Sequence, residues 1–150
     1  MLSNLGRYFL LDLLSLFSTS FLSSTILPGG SEALLLYLTQ TSTYSLIALW
    51  VIASVGNTLG GLTNWLLGRY LYRFKEHRLF PISSTQLNKA THFFHKYGTA
   101  SLLFSWLPII GDALCILAGV SRVRLFIFFV LVLFGKSARY AILLLGVEYL

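Results

Sequence analysis

Hydrophobic and polar positions in this chain fall in long blocks rather than in short alternation. Residues 33 to 68 carry no formal charge, and neither do 13 to 31 or 97 to 111. Runs of that length predict helices immersed in lipid. Two of the apolar blocks are broken near their centres. The first, from about Tyr8 to Leu38, is interrupted by Pro28-Gly29-Gly30, and the second, from Gly98 to Val120, by Pro108-Ile-Ile-Gly111-Asp112. Proline removes a helical hydrogen bond and clashes with the preceding turn, so each block predicts two half-length helices folded as a re-entrant hairpin. Irregular backbone at membrane depth is tolerated only where protein or a water-filled cavity surrounds it. Residues 27 to 32 are therefore the first candidate site.

Two further blocks are unbroken. Tyr44 to Tyr70 and Leu125 to about Leu145 each predict a membrane-crossing helix, with a polar turn at Thr39 to Thr43 before the first. Between them lies the one strongly polar segment, residues 71 to 97. Its second half, Ser84 to Tyr97, predicts an amphipathic helix on the inner membrane surface, with Leu87, Ala90, Phe93, Phe94 and Tyr97 toward lipid and Lys89, His92 and Lys96 toward water. The expected organisation is a single all-α membrane domain, with a first repeat over about 8–70, a cytoplasmic connector over about 71–97 and a second repeat over about 98–147.

Composition narrows the class. The 150 residues are 56% hydrophobic and 11% charged, with a mean hydropathy of +0.77. Soluble domains hold about 25% charged residues, so a soluble enzyme and a secreted disulfide scaffold are both excluded. Eleven basic residues against five acidic ones give a pI near 9.7, which could pass for a nucleic-acid footprint. Position argues otherwise: Arg69, Arg73, Lys75, Arg78, Lys89 and Lys96 gather in the connector, and Arg122 and Arg124 precede the last span. The positive-inside rule puts these ends in the cytoplasm, with Glu148 outside. Asp12 interrupts the N-terminal apolar run and argues against a cleaved signal sequence. Cys115, alone in an apolar stretch, predicts a buried small hydrophobe, and His92 with His95 lacks a third ligand for a metal. No cofactor is expected.

The two broken blocks are copies of one pattern. Residues 27 to 34 read Leu-Pro-Gly-Gly-Ser-Glu-Ala-Leu and residues 107 to 114 read Leu-Pro-Ile-Ile-Gly-Asp-Ala-Leu. Each is followed at nearly the same distance by a glycine in a long span, Gly56 and Gly135. One half would enter the membrane from outside and the other from inside, an inverted-topology repeat. Paired interrupted segments in corresponding halves point to a transport site near the bilayer midplane.

The chemistry follows from the residues at the breaks. A helix restarting after each proline aims free N–H groups and its positive dipole end into the site and attracts an anion such as phosphate. Backbone donors are expected from the tips at Pro28, Gly29, Gly30, Pro108 and Gly111. Glu32 and Asp112 lie beside them as candidate proton carriers or ion-pair partners. Lys136 and Arg139, three apart on one face of the last span, and Arg69 at the inner end of the earlier one, are candidate phosphate-binding cations. Asn57 and Asn64 sit in mid-membrane, where an unsatisfied amide is costly, and are expected to line a polar cavity. The bland alternative is that the acids only neutralise Lys136 and Arg139 and hold the two halves together. No nucleophile, base and orienting group occur as a set, so no enzyme is expected.

The chain resembles the DedA superfamily, which carries the VTT or SNARE-associated domain, and within it the short YqaA-type branch. Leu27-Pro-Gly-Gly-Ser-Glu32, Gly56-Asn-Thr-Leu-Gly-Gly-Leu-Thr-Asn-Trp-Leu-Leu-Gly-Arg69, Phe94-His-Lys-Tyr-Gly98, Leu107-Pro-Ile-Ile-Gly-Asp112 and Ala118-Gly119 carry the resemblance. It implies two opposed re-entrant hairpins in a bacterial inner membrane and a lipid-handling role: flipping undecaprenyl phosphate or a phospholipid, or proton-coupled transport. The departures fall on the site. The broader family places arginines around the second proline and an acid two residues after the first, whereas this chain has Asp112 and Glu32; an aromatic often stands where Lys136 is. The expected partners are membrane lipids, a lipid phosphate and protons, with room for self-association. Two other readings use the same residues: an antiporter for a small ion or drug, and a non-transporting scaffold.

Overall fold

The structure, a computed structural model, describes residues 2–24, 29–41, 44–71, 83–108 and 110–148. Among them there is no β-strand. The helices are α1 (Leu2–Ser23), α2 (Gly30–Thr41), α3 (Leu46–Leu66), α4 (Ser84–Tyr97), α5 (Ile110–Val120) and α6 (Leu125–Glu148). A wide π-type turn, Leu67–Leu71, continues α3, and a 3-10 stretch, Gly98–Trp106, leads from α4 toward α5. Pro28 and most of the connector, residues 72–82, lie outside the described residues, as does the side chain of Glu148.

Two helices are long and apolar enough to cross a membrane, Leu46–Tyr70 and Leu125–Gly146. Their outer faces carry Ile47, Val51, Phe126, Phe134 and Ile142, all largely exposed. So much contiguous apolar surface is rare on a soluble monomer and suits lipid. The span expected over Tyr44 to Tyr70 is thus α3 with its π-type turn, and the final span is α6.

Three sequence expectations are corrected. The arm before Pro28 is not half-length: α1 has 22 residues, about 33 Å at 1.5 Å per residue. Nothing between Leu2 and Arg7 stops a helix, so it runs on past the start of the apolar block. Only α2, with 12 residues, is half-length. The arm before Pro108 is short, but as nine residues of 3-10 helix rather than α-helix. Finally, α4 has the bounds that its amphipathic pattern predicts, yet its apolar face meets protein instead of lipid. Ala90 is fully buried with α5 residues Ala113, Leu114 and Leu117, and Leu87, Phe93 and Phe94 pack on the same cluster. Tyr97 alone of that face stays exposed. Ser83 and Gln86 close the start of α4 as a reciprocal capping box.

Glycines let the helices approach backbone to backbone, as the small-residue face of α3 suggests. A Cβ on Gly56 would lie 2.7 Å from the carbonyl oxygen of Phe17, and one on Gly60 would lie 2.4 Å from that of Phe21, so α1 presses directly on α3. Gly135 receives the carbonyl of Leu103 in the same way, at 2.6 Å. α3 therefore takes α1, and α6 the 3-10 stretch, against the matching glycine.

The apolar core is split. One cluster gathers Trp65, Leu102, Leu114, Phe128 and Val132, with Ala90 of α4; the other gathers Leu16, Leu35, Leu38, Leu49, Ala53 and Tyr140. Along α3 the two are separated by Asn57 and Gly61, and along α6 by Lys136. Cys115 is a free, fully buried cysteine in the first cluster, the role its surroundings predict. At one end of the molecule Tyr44 donates from its hydroxyl to Asp12 Oδ2 at 2.6 Å, which ties α1 to the start of α3.

Candidate functional site

The gap between the two apolar clusters is filled by polar side chains from five elements. Glu32 is the third residue of α2 and Asp112 the third residue of α5. The helix therefore does restart at each acid. Both acids reach α6. Asp112 Oδ1 lies 3.6 Å from Lys136 Nζ, and Glu32 pairs with the Arg139 guanidinium. The spacing of Lys136 and Arg139 puts the two cations on one inward face, and each half of the chain sends one acid to it.

Lys136 is tied on every side. Its ammonium donates to Ser24 Oγ at 2.6 Å and to Asn57 Oδ1, in addition to facing Asp112. Ser24 in turn donates to Asp112 Oδ1 at 3.0 Å. An ammonium has three N–H donors; two are hydrogen-bonded within the protein and the charge is balanced by the Asp112 carboxylate. Its aliphatic stem passes Gly61, where a Cβ would sit 3.6 Å from Cε. With 4% of its side chain exposed, Lys136 is sealed in, whereas Asp112 and Arg139 each expose 26% and Glu32 17%.

The network continues toward the second ion pair. Asn57 Nδ2 donates to Tyr140 Oη at 2.9 Å, and Tyr140 shares a 2.8 Å hydrogen bond with Ser31 Oγ, next to Glu32. A continuous path thus runs Asp112, Lys136, Asn57, Tyr140, Ser31. Asn64 Nδ2 donates to the Ser24 carbonyl at 2.8 Å and fixes the end of α1. The two asparagines were expected to line a polar cavity; here both are buried and their amides are used to bind helices together.

The tips differ in what they offer. Gly29 has φ of +100° and lies beside Glu32, where a Cβ would be 3.6 Å from Oε2; Gly30 is exposed next to Thr19. At the other tip the Gly111 N–H donates to the Leu107 carbonyl at 2.9 Å and the Ile110 N–H to Pro108 at 2.8 Å, so these donors are used locally. Pro108 is exposed. Arg69 stands apart from the cluster, on the π-type turn, with its guanidinium 5.0 Å over the Trp65 ring.

Ser24, Ser31 and Tyr140 are members of this network that residue type alone does not reveal. Tyr140 had one usable signal, its place one helical turn beyond Lys136. No group of three metal-ligating side chains occurs among the described residues. Two apolar grooves, of about 250 and 420 Å³, run between α3 and α6 on the outer face and share Trp50 and Ala141. The Trp50 indole donates to the Ser137 carbonyl at 2.9 Å between them and the polar network.

A profile of the VTT domain matches residues 27–149. The inner membrane protein YqaA of Escherichia coli K12 is 42% identical over 134 residues, 87% of either chain. An uncharacterized protein of Haemophilus influenzae is 35% identical over 139 residues, covering 86% of this chain and 83% of its own. Undecaprenyl phosphate transporter A of Staphylococcus aureus is 29% identical over 111 residues, 68% of this chain and 55% of that one. No solved structure matches.

Proposed function

This chain belongs to the VTT-domain (DedA) family and is a bacterial inner-membrane protein; from that premise we propose that it carries a lipid phosphate, of the undecaprenyl phosphate or phospholipid class, across the membrane. The observation that carries this reading is the pairing of one acid from each half with the two cations of α6 in a buried, hydrogen-bonded network. Charge inside a membrane is expensive and by default marks a path or a binding site. A similar protein named as an undecaprenyl phosphate transporter supports the substrate class.

In this reading the two halves are inverted repeats whose hairpins meet at the network, one open to each side. The ion pairs supply the selectivity. Arg139 has five N–H donors and a single acid partner, and it is partly exposed. A guanidinium binds a phosphate bidentately, so Arg139 makes the first contact. Lys136 joins when its ties to Ser24, Asn57 and Asp112 open. The phosphate displaces Glu32 and then Asp112 as counter-charge, and a released carboxylate takes up a proton rather than stay buried and unpaired. That step couples substrate movement to protons.

The test is translocation of labelled undecaprenyl phosphate in proteoliposomes by Glu32→Gln and Arg139→Ala, at equal incorporation. Loss of a charge-assisted contact of about 1.5–3 kcal/mol predicts a rate at least about tenfold lower. Full translocation by either variant overturns the proposal. Proton flux through the wild type in liposomes lacking any lipid phosphate would favour the antiporter instead.

A further inference from the structure

We propose a second anion site, separate from the central network, that holds the phosphodiester of an anionic phospholipid between the end of α3 and the α5–α6 turn. Arg69, Arg122 and Arg124 build it. All three side chains are exposed, and no acid among the described residues pairs with them: Asp12 serves Tyr44, Glu32 serves Arg139 and Asp112 serves Lys136.

Backbone contacts bring together the segments that carry Arg69 and Arg122. A Cβ on Gly119 would lie 2.0 Å from the Trp65 carbonyl oxygen and 2.8 Å from the Arg69 nitrogen, so the end of α5 rests directly on the end of α3. Gly68 makes the reciprocal contact with the Ile116 carbonyl. The Arg122 N–H then donates to the Gly119 carbonyl at 3.0 Å and the Val123 N–H to Ala118 at 2.9 Å, which folds the turn back over this junction. Arg124 follows at the entrance to α6. The backbone that carries Arg69 and Arg122 is therefore locked.

Two features favour a lipid headgroup. The Arg69 guanidinium lies over the Trp65 indole; a face-on cation–π contact leaves its N–H edges free for phosphate oxygens. Around the cluster, Leu66, Tyr70, Leu125 and Phe126 are exposed, Phe126 by 79%. Cations at the rim of an exposed apolar and aromatic band sit where headgroups meet acyl chains. Arg122 also holds a left-handed conformation, φ +54°, which strains a side-chain-bearing residue. A glycine there would be cheaper, but it would bring no cation.

The test measures phospholipid retained by the full-length protein purified from mixed phosphatidylcholine and phosphatidylglycerol membranes, counted by native mass spectrometry. The wild type is expected to retain phosphatidylglycerol above its share of the membrane. Arg69→Gln and Arg122→Gln should each lower that excess roughly fivefold, the contribution of one basic side chain at an anionic surface. The triple variant with Arg124→Gln should abolish it. Arg73, Lys75, Arg78, Lys89 and Lys96 remain in all of these to direct insertion, and helical circular dichroism checks the fold. Lys89→Gln, an exposed cation of α4, should leave retention unchanged, which separates this site from the general attraction of a basic surface. Retention without excess in the wild type, retention unaffected in the triple variant, or an equal loss in Lys89→Gln would each overturn the proposal.

Discussion

Asn57 and Lys136 occupy corresponding places in the two halves of the chain, each directly after its glycine, and their side chains are hydrogen-bonded to each other. Residues exchanged by a two-fold rotation touch only where the axis passes. In the inverted arrangement proposed above, that axis would pass at the Lys136 ammonium. The halves differ there in chemistry: α3 brings a neutral amide and α6 brings the charge, so the cation is shared by both.

Lys136 is expected to be the strongest single tie in the fold. Lys136→Met strands Asp112, Ser24 and Asn57, and removal of one partner of a buried pair costs about 3–5 kcal/mol. For a domain of this size that lowers the thermal midpoint in detergent by on the order of 10 °C. Adding Asp112→Asn should restore part of the loss. A double variant as unstable as the sum of the singles would show that Asp112 is not the partner.

Tyr140 is expected to couple the two ion pairs. Its hydroxyl accepts from Asn57 and bonds Ser31, so Tyr140→Phe cuts the path between them and leaves a buried amide short of a partner, at about 1–3 kcal/mol. In lipid translocation, the effects of Glu32→Gln and Asp112→Asn should be non-additive in the wild type and closer to additive in the Tyr140→Phe background. A double-mutant cycle measures the difference; equal coupling in both backgrounds would remove Tyr140 from the path.

The glycines separate into two classes. Gly68→Ala and Gly119→Ala place a methyl about 2 Å from a carbonyl oxygen of the facing helix and should unfold the α3–α5 junction or prevent stable insertion. Gly146→Ala meets nothing within 4 Å and should stabilise α6 by about 0.5–1 kcal/mol through helix propensity. Thermal midpoints of purified protein rank the three, and a neutral Gly119→Ala would contradict the packing described.

Tyr44 predicts a pH dependence. The hydrogen bond to Asp12, then burial, then the Asp12 charge raise its hydroxyl above the ordinary value of 10. Folding thus favours the neutral phenol. Its contribution is complete below the unfolded value and is lost as pH rises through the raised one. Tyr44→Phe should flatten the decline of the thermal midpoint as pH rises above about 10. An unchanged slope would assign that decline to another group.

Much of this was legible in the chain. The unbroken spans, the bounds of α4 and the restart of a helix at each acid follow from charge-free length, capping residues and proline. The partner of an apolar face does not: Leu87, Ala90 and Phe94 read the same whether lipid or α5 covers them. The 3-10 winding of Gly98–Trp106 carries no compositional mark. Nor does the choice between Lys136 and Arg139 for Glu32, which is a matter of helix rotation. Ser24 and Ser31 were hidden because serine is common at helix ends for ordinary reasons of capping.

The arm that leads into the second tip has a length in reserve. Nine residues of 3-10 helix rise about 2.0 Å each, against 1.5 Å in an α-helix. Rewinding the stretch would shorten it by about 4–5 Å and exchange its hydrogen bonds for better-aligned ones. The first arm, already α-helical, holds no comparable stroke. The two arms are therefore unequal in what they could extend or take up, and the adjustable one rests through Leu103 on Gly135, next to the central lysine.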